Sequence, residues 1–176
     1  MSNSKVLLAF LVFILLLFGC NDDVEKTQSN IVNKQVNFTV LASEKTLPIN
    51  FDDIAFIRET SPFHQFLVRK SVNQSEFDET WSLYGLEQDN PDVDFNKNVV
   101  FFIGFFESGS CPSEIGNVEL NIDNNTLTVP LLESEGACAS DATPKTFVMQ
   151  VDKKISPKIE NLIIIQSNIK TNVPYE

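Results

Sequence analysis

Val99-Val100-Phe101-Phe102-Ile103-Gly104-Phe105-Phe106 is the most apolar stretch beyond the first twenty residues. Its length and its β-branched and aromatic content read as a strand. The lack of alternation makes it a central strand, buried on both faces. Gly104 inside it marks either a bulge or a close approach by another part of the chain.

Working outward, further strands follow from shorter patterns. Val36 to Val40 alternates as a half-buried strand does, and Asp53 to Arg58 and Phe66 to Arg69 are two more candidates. On the far side, Asn117 to Ile122 and Thr126 to Leu132 form a hairpin across Asp123-Asn124-Asn125, whose residues tolerate left-handed backbone. Thr146 to Val151 alternates again, and Leu162 to Gln166 closes the domain. One helix is expected at about 76–84, with Ser75 as N-cap and Asp78 three residues on. Phe77, Trp81 and Tyr84 share one face of it, and Gly85 ends it. Trp81 is expected to pack this helix onto the sheet. The fold class is therefore mainly β: an antiparallel barrel or sandwich with one short helix packed on it. No internal repeat is present.

The 176 residues suit one domain plus a tail. Fifteen Phe stand against one Trp and two Tyr, and many of the Phe fall in the β runs. The net charge is -11. Scattered acids of this excess form a solvated surface and repel phosphate backbones, which excludes nucleic acid as a partner.

The first residues carry an address. Lys5 precedes an unbroken apolar run from Val6 to Phe18, and Gly19-Cys20 follows. Thirteen apolar residues make about 20 Å of helix, short of the roughly 30 Å bilayer core, so an export signal is expected rather than a span. Leu17-Phe18-Gly19-Cys20 resembles a lipobox, with Phe18 in place of the usual small residue. The resemblance implies cleavage after residue 19 and lipidation of Cys20. It implies a lipid-anchored protein on the extracytoplasmic face of a bacterial cell membrane. Removal of residues 1–19 takes away Lys5 and no acid, leaving 12 basic against 24 acidic residues, or -12. Residues 20–35 are polar and aperiodic and read as a tether; 36–176 form the folded domain.

With Cys20 committed to lipid, Cys111 and Cys138 are expected to pair in an oxidising compartment. The bridge would close a loop of roughly 28 residues, worth about 3–4 kcal/mol in the chain-entropy model. It would bring together two loops, 107–113 and 132–144, at one end of the sheet. Such rigid polar loops make contact surfaces. A redox pair is disfavoured, because CxxC spacing is missing.

Catalytic chemistry has little to draw on. His64 is the one histidine, without a GxSxG partner motif, and reads as a loop residue. Asp89-Asn90-Pro91-Asp92-Val93-Asp94 alternates oxygens but lacks the Gly and Glu of a calcium loop. No nucleotide-binding motif occurs. No enzyme activity, cofactor or metal is expected.

The order of features resembles the PrcB-like C-terminal domain, named for a subunit of a bacterial protease complex. The likeness covers about residues 65–155. It rests on Phe77 with Trp81, Asp94-Phe95 leading into Val99-Val100-Phe101, the 117–132 hairpin, and Thr143-Pro144 before Phe147-Val148-Met149-Gln150-Val151. Ser110-Cys111-Pro112-Ser113 stands where such domains often carry a Gly-Gly-Tyr-like turn. The resemblance implies a non-catalytic module that binds or stabilises an envelope or secreted protein such as a protease. The alternatives are a small-ligand carrier with a Phe-lined pocket, or an enzyme using acids alone.

Overall fold

The computed structural model describes residues 33–62, 64–123, 125–134, 136–154 and 159–175. The expected export signal, the Leu17–Cys20 motif and most of the expected tether lie outside them.

The described residues form a sandwich of two sheets, which decides between barrel and sandwich. One sheet contains β1 (Lys34–Gln35), β6 (Glu114–Ile115), β7 (Glu119–Leu120), β8 (Thr126–Leu132), β10 (Asn161–Gln166) and β11 (Ile169–Val173). Its order is β1-β7-β8-β10-β11, with β6 pairing the far end of β8. The other sheet contains β2 (Phe38–Glu44), β3 (Phe56–Ile57), β4 (Gln65–Ser71), β5 (Asn98–Glu107) and β9 (Thr143–Asp152), in the order β2-β9-β5-β4-β3. Pairing is antiparallel except between β8 and β10.

The Val99–Phe106 run lies within β5, the central strand of its sheet, flanked by β4 and β9. Alternation along β5 divides two cores. Val99, Phe101, Ile103 and Phe105 point between the sheets, against Leu127, Val129, Leu162 and Ile164. Val100 and Phe102 point to the opposite face, where Phe77, Trp81 and Tyr84 of the helix segment cover them. A segment covered on both faces needs no polar residue, which is why Val99–Phe106 shows none.

That helix, α2, runs Gln74–Leu83, after a single short turn, α1, at Phe51–Ile54. The N-cap is Asn73, not Ser75. The Asn73 side chain accepts from Glu76 N at 3.0 Å, and Glu76 Oε2 accepts from Val72 N at 2.9 Å. Both Asn73 and Ser75 stand three residues before an acid; the helix begins two residues earlier than expected, at Gln74, which places Ser75 inside its first turn. At the other end Gly85 has φ +64°. Gly85 N donates to Ser82 O and Leu86 N to Trp81 O, which makes a Schellman turn.

Gly104 is a close approach and not a bulge, since the register of β5 runs unbroken on both sides. A Cβ there would lie 2.7 Å from Leu47 Cδ2 and 3.0 Å from Tyr84 Cε1. The bare backbone lets the buried Tyr84 ring lie flat on the sheet, where its hydroxyl donates to the Leu67 carbonyl at 2.9 Å.

Four further expectations are corrected. Asp53 to Arg58 is the end of α1 followed by β3, so the strand there has two residues. The first long strand is Phe38–Glu44, and Lys34–Gln35, expected in the tether, already pair with Glu119–Leu120. The first arm of the 117–132 hairpin is only Glu119–Leu120, joined to β6 through an irregular stretch. Leu162–Gln166 does not close the domain: Ser167 and Asn168, at φ 49° and 63°, turn the chain back into β11.

Candidate functional site: two disulfide-tied loops over a buried ion pair

β5 and β9 run side by side and end together, with Glu107 opposite Thr143. The loops that leave β5 and enter β9 therefore start as neighbours. β6 pairing at Glu114↔Leu132 brings the remaining ends together. The Cys111–Cys138 disulfide forms between them, across a Cα separation of 5.5 Å. Cys111 is buried at 5% exposure, whereas Cys138 lies on the surface. The two loops thus meet at one end of the sandwich, as the spacing predicts.

Side chains fasten them further. Ser108 Oγ donates to the Ala139 carbonyl at 2.9 Å, and Ser110 Oγ accepts from Ala139 N at 2.8 Å. Asp141 Oδ1 accepts from Gly109 N at 3.0 Å and lies 3.2 Å from Ser108 Oγ. The Gly109 N–H, and after it the Ser108 hydroxyl, hold the Asp141 carboxyl below its ordinary value of 3.8. A Cβ at Gly109 would lie 2.6 Å from Asp141 Oδ2 and 2.8 Å from Thr143 Oγ1, so a side chain there would displace the Asp141 carboxylate.

Under these loops lies a pair that the sequence reading missed. Glu107 and Lys145 occupy inward positions of β5 and β9, continuing the parity of Phe105 and Phe147. Their side chains are 1% and 10% exposed, with Lys145 Nζ 3.8 Å from Glu107 Oε1. Glu107 Oε2 accepts from Ser113 N at 2.7 Å, tying the 108–113 turn to the core. Lys145 also lies over the Phe147 ring, 4.8 Å from its centroid. Gln166 Nε2 donates to the Phe106 carbonyl at 3.3 Å and joins the two sheets at this end. Glu107 Oε1 makes no hydrogen bond among the described residues, so the pair is a charge contact without one. A buried pair of this kind adds little net stability, whereas loss of one partner is costly. Outside the bridge, a cleft of about 400 Å³ is lined by Leu131, Glu133, Ser134, Cys138 and Ser167, among others.

The remaining candidate residues lie elsewhere. His64 is half-buried; burial first, then the nearby Arg58, lower its pKa from 6.5. Among the described residues no hydrogen-bond partner meets its Nε2. Asp94 of the acidic loop is engaged by Lys97 Nζ at 2.9 Å and by Asn96 N. Among the described residues no group of His, Cys, Asp and Glu is placed to hold a metal ion. Trp81 packs against Phe77 and Phe102, and its Nε1 donates to the Gln88 carbonyl. The Phe rings of the β runs mostly pack on one another inside the two cores. The apolar cleft that Phe56 and Phe66 help to line measures about 200 Å³, below the roughly 300–1,000 Å³ of ligand pockets.

No family model, curated protein or solved structure matches this chain. Among the described residues no helix is long and apolar enough to cross a membrane.

Proposed function

We propose that this chain is a bacterial surface lipoprotein, anchored through lipid on Cys20. Its β sandwich acts as a non-catalytic accessory module that binds an envelope or secreted protein. The anchor rests on the sequence Val6 to Cys20. The binding role is carried by one observation above all, the pair of loops joined by Cys111–Cys138 and seated on Glu107–Lys145. Loops held by a covalent bridge, side-chain hydrogen bonds and a buried ion pair lose little entropy when a partner docks, so less of the contact energy is spent on ordering. The resemblance to the PrcB-like domain supports the same class and makes a protease a reasonable partner to look for.

The experiment is photo-crosslinking in the native cell envelope, with the probe placed at Ser110 or Ala139 of the full chain. Both residues lie at the loop junction and outside the core. A discrete crosslinked protein, lost when Cys111 and Cys138 are both changed to Ser, is the expected result. Crosslinks to lipid alone, or none, would overturn the binding role while leaving the anchor standing.

A further inference from the structure

The two ends of the sandwich differ in charge. The disulfide loops mark one end, where Gln166 ties the sheets through the Phe106 carbonyl. The opposite end holds the finish of β9 and the starts of β5, β8 and β10. There Lys70 Nζ ties the sheets by donating to the Ile159 carbonyl at 3.2 Å. Glu160 N donates to the Asn125 carbonyl, which sets the 121–125 turn at the same end.

Acids crowd the loop end. Glu44, Asp52, Asp53, Glu59 and Glu87 lie there on or beside β2, α1 and β3, and Glu107, Glu114, Glu133 and Asp141 border the loops. Against Lys45, Arg58, Lys145 and Lys170 that makes nine acidic and four basic described residues, or -5. The opposite end carries Lys34, Arg69, Lys70, Lys97, Lys153 and Lys154. Its acids are Glu76, Asp92, Asp94 and Glu119, with Asp123, Asp152 and Glu160, so six basic meet seven acidic described residues, or -1. Lys34, Lys97 and Lys154 are exposed, and so is Ile122, at 64%, in the turn next to Lys34.

The chain also enters at this end, since Lys34 pairs with Leu120 just before that turn. Fourteen residues lead from Cys20 to Lys34, at most roughly 50 Å of chain. The ten residues of β5 span about 33 Å. A lipid on Cys20 reaches a bilayer directly when the -1 end is down. With the loops down, the chain must first run back along the sandwich, which uses roughly two thirds of its reach.

We propose that the domain stands on an anionic phospholipid surface with Lys34, Ile122 and Lys154 toward the headgroups, so that the disulfide loops face away from the membrane. The placement rests on the lipid anchor proposed above and adds the direction in which the loops are displayed. An anionic leaflet repels acids, and the effect fades within a Debye length, about 8 Å at physiological salt. Only the end next to the bilayer feels it, so the -1 end is preferred there over the -5 end. Ile122 adds an apolar contact at headgroup depth. Ile49, Ile57 and Leu132 are exposed as well, at the loop end. The acids around them keep them from an anionic leaflet and leave them to a protein partner.

The test uses the lipidated full chain, isotope-labelled in its host and placed in nanodiscs of equal phosphatidylglycerol and phosphatidylethanolamine. A nitroxide on a lipid headgroup erases the amide signals that lie near the bilayer. Loss of the Lys34, Asp123 and Lys154 signals, with those of Gly109 and Ala139 retained, is the expected result. Lys34→Glu combined with Lys154→Glu takes that end from -1 to -5, the value at the loops. Both side chains are exposed, so the fold is kept, and loss should spread to Gly109 and Ala139. An unchanged pattern in this variant would overturn the choice of an anionic surface. In the unaltered chain, loss at Gly109 and Ala139, alone or equal to that at Lys34, would overturn the placement, as would no loss at either end. A chain without acyl groups on Cys20 would instead overturn the anchor itself, and the intact mass of the same sample reads that separately.

Discussion

Glu107 and Lys145 show how a single residue pair shapes the candidate surface. Both charges are buried, so removing one strands the other in low dielectric. Glu107→Ala should cost about 3–5 kcal/mol by that principle, read as a lower urea midpoint with an unchanged slope. Glu107→Gln keeps an acceptor for Ser113 N and should cost less. Asp141 offers a pH-dependent readout at the same surface. Its folded pKa lies below 3.8, so its contribution is present above the unfolded value and lost as pH falls through the lower folded one. The Gly109 amide resonance should titrate with a midpoint below 3.8, and Asp141→Asn should abolish that titration. A midpoint at or above that value would contradict the hydrogen bond assigned here. Gly104 gives a third readout. Gly104→Ala forces a methyl into Leu47 and Tyr84 and should destabilise by about 1–3 kcal/mol, the usual range for overpacking.

At the scale of elements, the helix α2 is defined by its ends. Asn73→Ala should cost about 1 kcal/mol by loss of the cap, while Ser75→Ala should be nearly neutral; equilibrium urea unfolding of both checks this. How much of the chain was legible follows from how each element is buried. β5, β8, β9 and β10 carry runs or alternations that packing enforces, so they stand out in the sequence. β11 alternates too, with Thr171 and Val173 inward and Lys170 and Asn172 outward, but five residues with a polar Thr at the centre make a weak pattern. Its signal was the Ser167-Asn168 pair, two residues long and able to take positive φ. Asp53 to Arg58 misled because Ile54 and Phe56 alternate as a strand would, yet Asp52 and Asp53 suit the first turn of α1. At the candidate site the cysteines were legible, since an even pair of thiols without CxxC spacing points to a structural bridge. The Glu107–Lys145 pair was not. A charge at a strand end looks like surface until its parity with Phe105 or Phe147 is followed inward.

For the whole molecule, the bridge and the proposed anchor matter most. The disulfide joins residues 27 apart, so reduction should lower stability by about 3–4 kcal/mol in the chain-entropy model. Denaturant unfolding with and without reductant measures it, and an unchanged midpoint would deny the bridge a structural role. In the proposed reading, a lipid anchor on Cys20 would determine where every other property is exercised. It would set an oxidising compartment for the Cys111–Cys138 pair and limit partners to those in the envelope or outside the cell. Two or three acyl chains on one residue hold a protein at a membrane stably, whereas a single chain does so only marginally. The most direct measurement is the intact mass and N-terminal peptide of the protein extracted from the membranes of its host. The account predicts a chain that begins at an acylated Cys20 and becomes unprocessed when Cys20 is changed to Ala. A mature chain that carries no lipid, or one that begins at any other residue, would contradict it.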